Sequence, residues 1–190
     1  MKMAPERVPA VSVAIVALAL AATFAGADRT DPALWPLVHL GAAHLALDAA
    51  ALIAVGLAYE RRAGAARWSV WAALCAAAGV VAGGIASASP IIGLSATAHG
   101  LLAAGALCER REARLGAAIL ALLVVKVGIE LMAGAPLASV AGRLVQAGPG
   151  ASAAHAGGLL AGVVLGLACR RLDPSAALRR RSFRAPGWQY

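Results

Sequence analysis

The 190-residue chain is 61% hydrophobic and only 14% charged, with a formal net charge of +8. A water-soluble domain of this length could not hide so much apolar surface, so lipid must cover part of it. Three cysteines without CxxC spacing point to neither a disulfide framework nor a metal knuckle, and Cys75, Cys108 and Cys169 read as small buried residues.

Apolar stretches recur along the chain, each ended by an arginine cluster or a Pro/Gly-rich loop. They predict six spans over 8–26, 38–59, 67–86, 93–109, 114–132 and 151–169. The first is about 19 residues long, beyond the 7 to 15 of a signal-peptide core, and is expected as a retained helix. Spans of about 20 residues each leave no room for a soluble domain. The expected fold is all-α: a polytopic membrane protein with one six-helix domain over 1–170 and a basic tail over 171–190.

The basic charge sets topology. Lys2 and Arg7 precede span one, Arg61, Arg62 and Arg67 separate spans two and three, and Arg110, Arg111 and Arg114 separate four and five. Six arginines follow span six, whereas the opposite side carries only Arg29 and Arg143. This positive-inside bias predicts cytoplasmic termini, with basic residues against anionic lipid headgroups rather than nucleic acid. The loops at 27–37 and 133–150 then lie on the outer side. In span six Gly158, Gly162 and Gly166 recur one turn apart, a stripe suited to a tight contact with Gly100, Ala103 and Ala104 of span four.

Polar groups within spans are costly and become functional candidates. They are His39, His44, Asp48, Ser95, His99, Lys126, Glu130 and His155. At 1.5 Å per residue from the cytoplasmic helix ends, Ser95 lies about 21 Å up, His155 about 22 Å, His44 about 24 Å and Asp48 about 18 Å. Residues from three helices thus share one layer. His99 falls one turn below Ser95 on the same face, so depth favours His155 as the partner of Ser95 and adjacency favours His99. His39 falls near the outer surface. Lys126 and Glu130, four apart, read as a self-neutralising pair.

Two chemistries could use this layer. One is nucleophilic catalysis by a serine and a histidine. The other is metal or haem ligation by the histidines and Asp48. His39 and His44 lie about 140° apart around a helix and suit joint ligation poorly, while His44 and Asp48 share a face. Ligation leaves Ser95 and the preceding glycine without a task.

Three motifs carry a resemblance. "GLSA" at 93–96 resembles the GxSG motif of rhomboid intramembrane serine proteases, "AHAGG" at 154–158 is similar to their AHxxG, and "HLGAAHLALD" at 39–48 to their HxxxxHxxxN. The motifs fall on spans two, four and six, in the family's order. The short six-span form and "GLSxxxHG" further resemble the bacterial rhombosortases, which process proteins bearing a C-terminal Gly-Gly sorting tail.

The resemblance implies a rhomboid-like fold in a bacterial inner membrane, its active site open to the periplasmic side. It implies Ser95 as nucleophile, His155 as general base, and the Ser95 N–H with the His44 side chain at the oxyanion. Gly93 would allow the turn into span four and Gly158 the approach of spans four and six, with His99 part of the motif. The implied partner is a membrane-anchored protein substrate, and no metal or cofactor is expected. An inactive, client-binding rhomboid relative and a small metal- or haem-binding membrane protein are the alternatives.

Two positions depart from the pattern. Ala96 replaces the second glycine and adds a methyl beside the site. Asp48 stands where the family has asparagine, and a protonated carboxyl there could still donate a hydrogen bond to an oxyanion.

Overall fold

The computed structural model describes residues 8–87, 93–109, 112–137 and 148–172. The basic tail beyond residue 172, Arg143 and the middle of the 133–150 loop lie outside the described residues. Among the described residues six helices follow in order: α1 (Ala10–Phe24), α2 (Ala42–Ala63), α3 (Ala65–Ala86), α4 (Ser95–Cys108), α5 (Ala113–Ala133) and α6 (Pro149–Leu172). The chain is all-α among the described residues, as expected.

Four of these helices, α2, α3, α5 and α6, are long and apolar enough to cross a membrane, while α1 and α4 are apolar but shorter. Many large apolar side chains are exposed, among them Leu57, Leu122, Val125, Met132 and Leu160. Such a surface requires lipid around it. The molecule is a multi-pass membrane protein.

The predicted span at 38–59 differs from α2 at both ends. Residues 38–41 lie before the helix, and α2 continues through Arg61 and Arg62 to Gly64, whose positive φ of 84° marks the turn into α3.

α4 is the central helix, packed against α2, α3, α5 and α6. It is built almost entirely of small buried residues, from Ala96 through Ala106. Its closest partner is α6, and the reason is steric. A Cβ at Gly158 would lie 2.1 Å from the Ala96 carbonyl oxygen, one at Gly162 2.0 Å from that of Gly100, and one at Gly166 2.9 Å from that of Ala104. Only a hydrogen at these positions lets the two backbones meet. At the end away from Ser95 the helices are tied by a Cys108–Cys169 disulfide with a Cα–Cα distance of 5.7 Å. This corrects the expectation of three unpaired cysteines. The partners are 61 residues apart in sequence, and only the α4–α6 pairing brings them together.

A second polar anchor holds α1. Glu60, buried near the end of α2, accepts the N–H groups of Val11 (2.8 Å) and Ser12 (2.9 Å) and the Ser12 hydroxyl (2.7 Å). Trp68 of α3 donates its indole N–H to the same hydroxyl at 3.0 Å. The carboxyl supplies the acceptor that the first turn of α1 lacks, since neither the helix nor its N-terminal residue Pro9 provides a side-chain cap.

Candidate active site

The site forms where Gly93 and Leu94 lead into the start of α4. Gly93 has a φ of +117°, and a Cβ there would lie 2.7 Å from Asp48 Oδ2 and 2.9 Å from the His44 ring. Glycine is therefore required twice over, by backbone conformation and by space. The Gly93 N–H donates to the Trp35 carbonyl at 3.0 Å, and the Leu94 N–H donates to Asp48 Oδ2 at 2.8 Å. Pinned at these two points, the chain turns into α4 with Ser95 as its first residue. The first intrahelical bond is Ala98 N–H to the Leu94 carbonyl. The N–H groups of Ser95, Ala96 and Thr97 thus have no carbonyl within the helix, and they carry the positive end of its dipole.

Ser95 Oγ lies 2.8 Å from Nε2 of His155, which is 5% exposed on α6. The Nδ1 of that ring lies 2.8 Å from Glu130 Oε2 on α5. Glu130 is fully buried; its other oxygen meets Lys126 Nζ at 2.5 Å and accepts the Leu137 N–H at 2.9 Å. His99 does not bond the serine hydroxyl. Its ring stacks on His155 with centroids 4.3 Å apart, its Nδ1 lies 2.6 Å from the Ser95 carbonyl oxygen, and its Nε2 lies 2.9 Å from Lys126 Nζ.

On the opposite side of the Gly93 strap, His44 Nε2 lies 3.5 Å from Asp48 Oδ2, and His39 Nε2 lies 3.2 Å from the same oxygen. His39 is fully buried. The other ring nitrogen of His39 faces the Leu37 carbonyl at 3.2 Å. The Thr23 hydroxyl lies 3.4 Å from the same nitrogen and 3.3 Å from the same carbonyl.

The sequence placed His39 near the outer surface and left it without partners. The structure draws it into the Asp48 cluster, because the segment before α2 folds inward with Val38 2% exposed. Glu130 is the residue that sequence reasoning missed. Its only signal was a charge pair inside an apolar span, and spacing along one helix pairs Glu130 with Lys126 without revealing a histidine 25 residues on. The ligating atoms of His99, Glu130 and His155 lie within 4.8 Å of one another. Lys126 contacts both His99 Nε2 and Glu130 Oε1, so a metal ion there would compete with a cation the chain already supplies.

A hydroxyl in contact with an imidazole, at a helix N-terminus with free N–H groups, can form and stabilise a serine-derived tetrahedral intermediate. No curated protein and no solved structure matches the chain. A family model for the Rhomboid domain matches residues 33–172, which contain Ser95, His155, the Gly93 strap and both histidines of the Asp48 cluster. The chain belongs to the rhomboid family.

Proposed function

We propose that this protein is an intramembrane serine endopeptidase working through Ser95 and His155. The observation that carries the reading is the 2.8 Å contact between Ser95 Oγ and His155 Nε2 at the first residue of α4. Ser95 Oγ attacks the scissile carbonyl carbon while its proton passes to His155 Nε2. The displaced C=O electron pair becomes an oxyanion beside the Ser95 N–H and the His44 ring. Collapse of the intermediate breaks the C–N bond, and His155 returns the proton to the leaving amine. Water then attacks the acyl-enzyme with His155 again as base. Gly93 and Gly158 set the backbone around this chemistry, Asp48 holds the strap before the nucleophile, and Ala96 narrows the space beside it.

The substrate class is a membrane-anchored protein whose transmembrane segment partly unwinds, such as a C-terminal sorting tail carrying Gly-Gly. Its route runs between α2 and α5, which share no contact among the described residues. The domain occupies 1–170, and α1 and α4 complete six membrane segments. Both termini and the basic tail over 171–190 face the cytoplasm of a bacterial inner membrane, with Ser95 open to the periplasmic side. The arginine distribution supports this orientation.

The test is cleavage of a Gly-Gly-tailed membrane substrate in proteoliposomes, together with labelling by a fluorophosphonate. Wild type should cleave and be labelled, and Ser95→Ala and His155→Ala should do neither. Cleavage at wild-type level by Ser95→Ala would overturn the reading. A wild type that binds the substrate yet neither cleaves nor reacts would make the protein an inactive client-binding relative.

A further inference from the structure

The side chain and carbonyl of Ser95 form a closed ring with four further polar side chains, His155, Glu130, Lys126 and His99, whose proton directions can be read from one member. Lys126 is a donor only. Its ammonium lies 2.9 Å from His99 Nε2 and 2.5 Å from Glu130 Oε1, so both atoms accept. A neutral His99 accepting at Nε2 carries its proton on Nδ1, which donates to the Ser95 carbonyl oxygen at 2.6 Å. On the other arm Glu130 accepts from Lys126 and Leu137 through Oε1, which leaves Oε2 to accept from His155 Nδ1 at 2.8 Å. His155 Nε2 is then unprotonated and faces the Ser95 hydroxyl. The ring leaves Ser95 by its side chain and returns by its own carbonyl.

From this arrangement we infer that Glu130 is a third member of the nucleophilic group: a positioning carboxylate that fixes the His155 tautomer and stabilises the imidazolium formed during attack. The inference rests on the serine endopeptidase reading given above. A buried carboxylate is costly unless paired and fully hydrogen-bonded, and Glu130, 0% exposed, is both. Lys126 neutralises it across one helical turn, so the demand for a carboxylate against His155 explains why an apolar span holds two charges. Lys126 also joins the carboxylate to His99, whose ring stacks on His155 at 4.3 Å, so the imidazole is held at its edge and on its face. The proton stays on Nδ1 throughout; Nε2 alone exchanges a proton with Ser95 and the leaving group, and no further reactant is needed.

Two measurements on the full chain in nanodiscs test this. The first is nitrogen-15 NMR of the four histidine rings, with His155 identified by its loss in His155→Asn. His155 should carry its proton on Nδ1 with Nε2 bare; the reverse tautomer would overturn the inference, and no mutation of Glu130 is needed to see it. The second is the rate of fluorophosphonate labelling at Ser95 and the kinetics of peptide cleavage. Glu130→Gln should lower the labelling rate and kcat by on the order of 100-fold or more with KM little changed, and Glu130→Asp should recover part of the loss. Wild-type rates in Glu130→Gln would overturn the inference. If wild type itself is labelled no faster than Ser95→Ala, the endopeptidase reading fails instead, and the tautomer still decides whether Glu130 holds His155.

Discussion

Oδ2 of Asp48, on α2, accepts the backbone N–H of Leu94 at 2.8 Å, so a carboxyl 46 residues upstream fixes the residue before Ser95. The same oxygen meets His39 Nε2 at 3.2 Å. An asparagine whose carbonyl oxygen takes the place of Oδ2 accepts from both the Leu94 N–H and a neutral His39 protonated at Nε2, so it serves both contacts without charge. Asp48→Asn should therefore retain or raise cleavage. Asp48→Ala leaves a buried N–H unpaired, which costs about 1–3 kcal/mol and, if felt in the transition state, about 10- to 100-fold in kcat. Parallel kinetics of the two variants check this; equal loss in both would show that the charge, not the acceptor, is what Leu94 needs.

The strap itself gives a second expectation. At Gly93 a methyl meets Asp48 Oδ2 at 2.7 Å and the His44 ring at 2.9 Å, on a backbone at φ +117°. Gly93→Ala should displace the start of α4 while leaving the helix bundle intact. Fluorophosphonate labelling of Ser95 should fall by at least about tenfold, equivalent to about 1.4 kcal/mol, with the circular dichroism spectrum unchanged. Gly64 also has a positive φ, but nothing lies within 4 Å of a Cβ there. Gly64→Ala should cost some stability through backbone strain and leave labelling at the wild-type rate.

Much of this architecture is legible in the sequence, and the illegible part has a common cause. Hydropathy and arginine spacing locate the helices because lipid demands apolar runs of set length. Depth counting brings Ser95, His155, His44 and Asp48 into one layer because a helix rises uniformly. The Gly158, Gly162 and Gly166 stripe announces its own contact, since glycines one turn apart serve little else. What spacing cannot supply is pairing between helices. Glu130 reads as the partner of Lys126 because both lie on α5, while its second partner, His155, comes from α6. Cys108 and Cys169 are hidden for the same reason. Glu60 reads as the end of a span, yet it caps α1 because α1 and α2 lie side by side.

The glycine stripe can be tested by contrast. Gly162→Ala would put a methyl 2.0 Å from the Gly100 carbonyl oxygen. Backbone cannot yield as a flexible side chain can, so the helices must separate, at a cost of about 1–3 kcal/mol. Gly128 lies within α5 with nothing within 4 Å of its Cβ. There alanine should be neutral or stabilising by up to about 1 kcal/mol, through helix propensity alone. Thermal unfolding in detergent should lower the midpoint of Gly162→Ala and leave or raise that of Gly128→Ala. Equal midpoints would mean that α4 and α6 pack less closely than their carbonyl contacts require.

The Glu60 anchor makes the last prediction, one that separates stability from catalysis. Glu60 is 4% exposed, satisfies Val11 and Ser12, and shares the Ser12 hydroxyl with Trp68. Removing it strands two backbone donors and a hydroxyl at the start of α1, far along α2 from His44. Each unpaired buried group costs about 1–3 kcal/mol, although water admitted at the helix end will recover part of that. Glu60→Ala should therefore lower the unfolding midpoint and expose the N-terminal segment to protease, and Glu60→Gln, which keeps an acceptor, should do so less. At temperatures where the variants remain folded, kcat should stay near wild type, because none of these groups touches Ser95 or His155. A large fall in kcat without a fall in stability would show that α1 and its anchor reach the active site, and would require a path from Ser12 to the Asp48 cluster through the α1–α2 contact.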